Sequence, residues 1–326
     1  DRLETKSYYF FFKHSAYIAL AIAILIIFSF LNQKILTKFS LILFLVAFLS
    51  LLLVPFLGIE VKGSKRWLDL MFLPRFQPVE IVKPFFIVTL SLMLTIQNRR
   101  LYFKYFLSIF FILPILMLLV YQPDIGQTLL IAMVWLALIF VSGINIFVFF
   151  IFFLFVGTTV SYLVLFVPKF EYIKIRLFAF LDSNSGNNYQ AEKASDAIIN
   201  GGFFGKGIGE GTLNSRVPEA HTDYIVSVIS EEFGAIIVIG ILFLYLIFSY
   251  RVIQKINFLK EDLSKLILIG CISLILIQTF IHVGVNIRIL PTTGMTLPFL
   301  SYGGSSIVST AILSGLILNL TKRKID

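Results

Sequence analysis

Apolar stretches close to the thickness of a bilayer's hydrocarbon core recur from one end of this chain to the other. They cover about residues 14–31, 39–59, 78–97, 105–121, 127–142, 144–167, 223–249, 264–286 and 303–320. A helix rises about 1.5 Å per residue and the hydrocarbon layer is about 30 Å thick, so each stretch is near or above spanning length. Lipid offers no partners to backbone N–H and C=O groups, so each must be helical. The sequence therefore predicts an all-α, polytopic membrane helical bundle of about nine spans. Composition agrees, because 58% of the 326 residues are hydrophobic and 14% charged, too little polar surface for a water-soluble fold to cover itself. Residues 1–326 read as a single integral membrane domain. There is no internal repeat, coiled coil or low-complexity tail.

A net charge of +9 would suggest nucleic acid in a soluble protein. Here Lys and Arg gather in short loops and at the chain ends, which points to membrane orientation instead. The loops 32–38, 98–104 and 250–265 and the C-terminal tail together hold twelve Lys and Arg, against eight in segments 1–13, 60–77 and 286–298. The count places Lys322-Arg323-Lys324 in the cytoplasm and the long loop 168–222 outside. It also places the N-terminus outside, with nothing before residue 14 to carry it across. The chain begins with Asp1 rather than Met, so the reading expects one further span upstream. Cys271 is the one cysteine and His14, His221 and His282 are the three histidines. Neither set has disulfide, zinc or haem spacing.

The insertion at about 168–222 is the one large polar segment, and loops of that length are usually functional. Within it, Tyr189 to Ile199 has the pattern of a short amphipathic helix. The following run, Gly201-Gly202-Phe203-Phe204-Gly205-Lys206-Gly207-Ile208-Gly209-Glu210-Gly211, looks superficially like a phosphate-binding loop. It lacks the preceding strand, and the stronger reading is a flexible turn that returns the loop to the membrane.

Ionisable groups in or beside spans are costly, so each is a functional hypothesis. Four clusters stand out. Gly63-Ser64-Lys65-Arg66-Trp67 precedes Phe76-Gln77-Pro78-Val79-Glu80-Ile81-Val82-Lys83, where Glu80 and Lys83 share a helix face and can pair. Read blandly, that is an ion pair neutralising itself, and Arg66 with Trp67 is an interfacial anchor. Gln122-Pro123-Asp124-Ile125-Gly126-Gln127 opens a span, with Asp124 a candidate N-cap. Pro218-Glu219-Ala220-His221-Thr222-Asp223-Tyr224 opens another, with Glu231 and Glu232 two turns deeper. A carboxylate at that helix start is either a cap or a base held ionised by the helix dipole. Last, residues 284–306 are dense in Pro, Thr, Gly and Ser. Such a run predicts a re-entrant or broken segment beside a polar cavity, since non-helical backbone at membrane depth needs protein or water around it.

Taken together these motifs resemble the SEDS family, whose members polymerise lipid II into glycan strands. The match runs from near residue 8 to near 320. Its pieces are Lys65-Arg66-Trp67, Phe76-Gln77-Pro78-x-Glu80-x-x-Lys83, Gln122-Pro123-Asp124-x-Gly126, the glycine-rich run, Pro218 to Asp223 with Glu231-Glu232, and Leu297-Pro298-Phe299-x-Ser301-Tyr302-Gly303-Gly304-Ser305-Ser306. The Pro-Glu-Ala-His-Thr-Asp and Leu290-Pro291-Thr292-Thr293-Gly294-Met295-Thr296-Leu297-Pro298 forms favour a division-type, FtsW-like member over an elongation-type, RodA-like one. Ten spans are usual in the family, which accords with the span expected upstream. Leu213-Asn214-Ser215-Arg216 departs from relatives that carry more basic residues there.

The resemblance implies a peptidoglycan glycosyltransferase. The 4-hydroxyl of an acceptor lipid II attacks the anomeric carbon of the growing chain and expels undecaprenyl pyrophosphate with inversion. Asp223 matches the family's essential aspartate and takes the part of general base. Arg66 and Lys83 are candidates for diphosphate contact, Trp67 for stacking on sugar or bordering lipid, and Glu80, Asp124, His221 and Ser301 for the cavity. A divalent cation, Mg²⁺ or Mn²⁺, bridging carboxylate and diphosphate is chemically compatible, though no spacing demands it. Implied partners are lipid II, a class B penicillin-binding protein, other divisome proteins and the membrane, with no nucleic acid. The implied place is the bacterial cytoplasmic membrane at the division septum. Two other readings use the same residues: a lipid II flippase or transporter, since intramembrane charges and broken helices also mark permeation routes, and a non-catalytic scaffold.

Overall fold

The apolar stretches fold as helices throughout, in a computed structural model that describes residues 7–61, 64–70, 74–96, 101–166, 170–181, 189–213 and 217–322. The elements are α1 (Ser7–Phe30), α2 (Gln33–Leu57), β1 (Ile59–Val61), β2 (Ser64–Trp67), α3 (Pro78–Leu94), α4 (Leu101–Tyr121), α5 (Ile125–Val141), α6 (Ile146–Phe166), α7 (Glu171–Leu181), α8 (Tyr189–Gly201), α9 (Ile225–Phe233), α10 (Ala235–Ile256), α11 (Asp262–Asn286) and α12 (Gly304–Thr321). Among the described residues six helices are long and apolar enough to cross a membrane: α1, α2, α4, α10, α11 and α12. The other expected stretches are helical too, as α3, α5 and α6, in keeping with a polytopic bundle of about nine spans. Helices α3 and α5 have 17 residues each, about 25 Å of rise, because each starts from a polar turn, at Gln77 and at Asp124.

The chain forms two compact units. The first comprises 1–138, 248–277 and 298–326, and its core is α3. Nearly every α3 residue is buried, including Val82, Phe86, Ile87, Val88 and Leu90. The glycines of α11 and α12 let their neighbours approach closely. A Cβ on Gly315 would stand 2.6 Å from the Phe28 side chain, and one on Gly270 would stand 2.5 Å from Ile87. At the C-terminal end of α12, Asn319 donates its amide to the carbonyls of Phe28, Ser29 and Leu31 at 2.9, 3.1 and 2.7 Å. Those carbonyls belong to the end of α1, where intrahelical partners run out. Between α2 and α3, β1 and β2 form an antiparallel hairpin with Glu60 opposite Lys65 and Val61 opposite Ser64. Three or four residues a strand in so charged a stretch gave no alternating pattern to read.

The second unit comprises 139–247 and 278–297. The amphipathic helix expected over 189–199 is present as α8, while α7 was unforeseen. The predicted span 223–249 is corrected: it breaks at Gly234 (φ 86°) into α9 and α10, and α10 runs on to Ile256. The glycine-rich run accounts for the break and is itself corrected, since it is a hydrogen-bonded splint and not a loose turn. Lys206 and Gly207 donate N–H groups to the carbonyls of Glu231 and Glu232 at 2.8 and 3.0 Å. In return Ala235 and Ile236 donate to the carbonyls of Gly202 and Phe203 at 2.9 and 3.3 Å. Both sets of backbone groups orphaned by the break are thereby satisfied, the condition for breaking a helix in an apolar setting. Gly201 permits the approach, for a Cβ there would stand 2.0 Å from the carbonyl oxygen of Ser230.

The stretch between α11 and α12 is non-helical, as its prolines and glycines predicted, with Arg288 and Phe299 at positive φ. Gly63, Asn214-Ser215-Arg216, Arg99, Arg100 and the tail beyond Lys322 lie outside the described residues.

Candidate functional site

In the first unit, six polar residues from three motifs meet at the starts of α3 and α5. Lys83 and Glu80 form an ion pair at 2.7 Å with side chains 0% and 4% exposed. The i, i+3 spacing places both on one face of α3. The other Glu80 oxygen accepts from Gln127 Nε2 at 2.9 Å, so one turn of α5 completes the pair's surroundings. Asp124 caps α5, accepting from the Gln127 N–H at 3.3 Å, and also accepts from Gln77 Nε2 at 3.1 Å. Arg66, on β2, donates to the carbonyls of Gln122 and Pro123 and lies 3.8 Å from the Asp124 carboxylate. Burial pushes the Asp124 carboxyl up from its ordinary range, while the Arg66 guanidinium and the Gln127 N–H pull it down. A buried charge is retained at tolerable cost only where it is paired and hydrogen-bonded, and this network meets that condition. Trp67 is half-buried on β2. Ser301 is buried in the same unit, as is Ser305, which accepts from the Gln77 N–H at 3.0 Å.

In the second unit Asp223 sits one residue before the N-cap of α9, which is Tyr224. The tight turn beneath it is built on Glu219 at positive φ, whose carbonyl accepts from the N–H groups of Thr222 and Asp223 at 3.0 and 3.1 Å. His221 is exposed on this turn. Asp223 is held from below. Asn286 at the end of α11 donates Nδ2 to the Asp223 carbonyl at 3.2 Å, donates to the His282 carbonyl at 2.8 Å and accepts from the Ser227 N–H at 3.3 Å. Asn286 is fully buried. Gly294, in the non-helical segment and at φ 68°, comes so near that a Cβ on it would stand 3.5 Å from Asp223 Oδ2. The half-buried carboxylate thus lies between a helix start and an extended loop, where a proton acceptor can meet a polar substrate.

Glu231, about two turns deeper, has a different part. It is fully buried, and one oxygen accepts from Asn200 Nδ2 and the N–H groups of Thr212 and Leu213 at 2.8, 3.1 and 2.9 Å. It anchors the long loop. Among the described residues no three His, Cys, Asp or Glu side chains converge as a metal site.

Sequence reasoning missed a polar ladder on α11. Gln278, His282 and Asn286 are four apart on an otherwise apolar helix, hence on one face. Gln278 Nε2 donates to the Thr296 carbonyl at 2.8 Å and His282 Nδ1 to that of Met295 at 2.7 Å, while Asn286 holds the Asp223 turn. The spacing was the available signal.

Comparison with known proteins agrees with these motifs. Probable peptidoglycan glycosyltransferases FtsW are similar over most of the chain. That of Caulobacter vibrioides is 31% identical over 92% of this chain and 76% of its own length. That of Coxiella burnetii is 32% identical over 98% and 88%. Among solved structures, a chain from work on the "structural coordination of polymerization and crosslinking by a peptidoglycan synthase complex" superposes with a TM-score of 0.80 at 26% identity. It covers 96% of this chain and 89% of that one. The Thermus thermophilus rod shape determining protein RodA superposes with a TM-score of 0.67, also at 26% identity, over 95% and 86%. A family model described as "Cell cycle protein" matches residues 1–325, and the chain belongs to this FtsW/RodA/SpoVE family.

Proposed function

We propose that the protein is a division-type, FtsW-like peptidoglycan glycosyltransferase that polymerises lipid II, with Asp223 as general base. One observation carries the assignment of the base: Asp223 is pinned through its own carbonyl by the buried Asn286, while its carboxylate remains half-exposed beside the backbone of Gly294. The cap position of α9 belongs to Tyr224, one residue on. The 4-hydroxyl oxygen of the acceptor sugar forms a bond to the anomeric carbon of the donor chain. The bond from that carbon to the pyrophosphate oxygen breaks with inversion. Undecaprenyl pyrophosphate leaves with the electron pair, and Asp223 takes the hydroxyl proton.

Leaving-group charge calls for cations. Arg66, 17% exposed, suits direct contact with diphosphate. Lys83, fully buried and paired with Glu80, is corrected from a contact to a residue that holds Glu80 and the start of α3. Trp67, Glu80, Asp124, His221 and Ser301 complete the proposed substrate-binding set. A divalent cation, Mg²⁺ or Mn²⁺, bridging a carboxylate and the diphosphate is compatible with this chemistry. The protein is a multi-pass membrane protein. Its proposed place is the cytoplasmic membrane at the septum with the C-terminus inside, supported by the Lys and Arg count. Its proposed partners are a class B penicillin-binding protein, supported by the similarity to a chain of a peptidoglycan synthase complex, and other divisome proteins.

The test is polymerisation of purified lipid II by the chain together with that partner, comparing wild type with Asp223→Asn. Loss of polymer on substitution is expected. Full synthesis by Asp223→Asn would remove the base, and lipid II flipping without polymer from the wild type would replace the reading with a transporter.

A further inference from the structure

Within the first unit, the end that the charge count assigns to the cytoplasm contains a recess of about 1310 Å³. The end of α1, the start of α2, the end of α10, the link to α11, the start of α11 and the end of α12 all contribute to its wall. Four lysines line it, Lys34, Lys255, Lys260 and Lys322, against one carboxylate, Glu261. Among the described residues, pairing does not quench them. Glu261 accepts from the Ser264 hydroxyl at 3.2 Å, and the neighbouring Asp262 is engaged by Lys265 at 3.0 Å. Lys322 is fixed by the Ser29 carbonyl at 3.0 Å. Among the described residues no carboxylate pairs with Lys34, Lys255 or Lys260, all three exposed. Two large apolar side chains, Phe30 and Phe258, line the same recess at 79% and 82% exposure.

Unpaired cations repel one another, and their convergence at the end of a helical bundle calls for an anion. The aromatic walls call for something apolar attached to it. Free phosphate answers the first requirement only, whereas a membrane phospholipid with net negative charge answers both. We propose that this recess is a binding site for the phosphodiester headgroup of an anionic phospholipid. Lys34, Lys255 and Lys260 contact the phosphate, Lys322 forms the fixed edge, and Phe30 and Phe258 flank the first segments of the acyl chains. The site is independent of the proposed transferase chemistry.

The test uses the full chain in detergent, titrated with short-chain phosphatidylglycerol, with phosphatidylcholine and with inorganic phosphate, bound lipid being counted by native mass spectrometry. Saturable binding of one phosphatidylglycerol is expected, with phosphatidylcholine far weaker. Each lysine near an anionic headgroup contributes roughly fivefold at low salt. The Lys34→Gln, Lys255→Gln, Lys260→Gln triple variant should therefore weaken binding by on the order of a hundredfold, and Lys260→Gln alone by about fivefold. A charge-matched control, Lys104→Gln, Lys193→Gln, Lys206→Gln, should bind as wild type does. Equal losses in the two triple variants would reveal diffuse attraction and overturn the site. So would binding that survives the recess substitutions. Inorganic phosphate displacing the lipid at equal concentration would show an anion site with no lipid specificity, which also overturns the proposal.

Discussion

Where α3 meets α5, a carboxylate and an ammonium cancel each other side chain to side chain, 2.7 Å apart and out of solvent. In the second unit two carboxylates, Glu231 and Asp223, are positioned differently. Glu231 is held by one amide and two backbone N–H groups, and Asp223 is fixed through its main chain with its carboxylate half-exposed. A buried ion pair is mutually dependent, because removal of either member strands the other. A carboxylate positioned through its backbone can gain and lose a proton without unfolding its surroundings. Taken separately, the first arrangement suits a rigid polar core and the second suits acid–base work.

The sharpest way to break this comparison is Asp223→Asn, which keeps the shape and removes the proton acceptor. Polymerisation of lipid II should fall by roughly 10²–10⁴-fold, the usual contribution of a general base, while the SDS concentration at which the purified chain unfolds stays put. Unfolding at lower SDS would make Asp223 structural, and the contrast would fail. Lys83→Met should do the reverse and act on stability, costing about 3–5 kcal/mol by leaving Glu80 buried without its counter-ion. The double variant Glu80→Gln, Lys83→Met should recover most of that loss, since nothing charged is then stranded. A single variant as stable as wild type would show that water reaches the pair.

The helices were legible because apolar length near 20 residues has one meaning in lipid, and the Glu80–Lys83 pairing because i, i+3 spacing fixes a face. Asp124 as a cap followed from its place before an apolar run. The break at Gly234 was not legible. Its neighbours are apolar enough to read as one helix, and what permits the break is a set of backbone bonds to residues about 30 positions earlier, which leave no residue-type signature. The same holds for Glu231, whose partners Thr212 and Leu213 offer main-chain N–H groups that any residue supplies. The α11 ladder differs: Gln278, His282 and Asn286 announce a shared face by spacing alone. Their targets are carbonyls of an irregular segment, so the spacing says that something is held and not what.

Glu231→Leu tests the neutral-partner arrangement directly. It leaves three donors facing an apolar side chain and should destabilise the unit by roughly 2–3 kcal/mol, read in the same SDS titration. Proteolysis between Thr212 and Pro218 should quicken as the loop comes free. Lys83→Met should leave that cleavage unchanged. Cleavage at the wild-type rate in Glu231→Leu would mean that the glycine-rich splint alone holds the loop.

The smallest effects should separate two rungs of the same ladder. Gln278→Leu removes a side-chain hydrogen bond to the Thr296 carbonyl, and such bonds in membrane bundles average about 0.6 kcal/mol. Its polymerisation rate should stay near the wild-type value. Asn286→Leu costs little more in folding, since the Ser227 N–H keeps the Tyr224 carbonyl at 3.0 Å, but it removes the bond to the Asp223 carbonyl. If the main chain is what aims the base, kcat should fall by about tenfold, a loss of some 1.4 kcal/mol in transition-state stabilisation, with KM for lipid II unchanged. Asn286→Gln, which keeps an amide at a displaced position, should fall between the two. Equal kinetics for Asn286→Leu and Gln278→Leu would mean that the Glu219 turn orients Asp223 unaided, and that the ladder serves only to hold the irregular segment against α11.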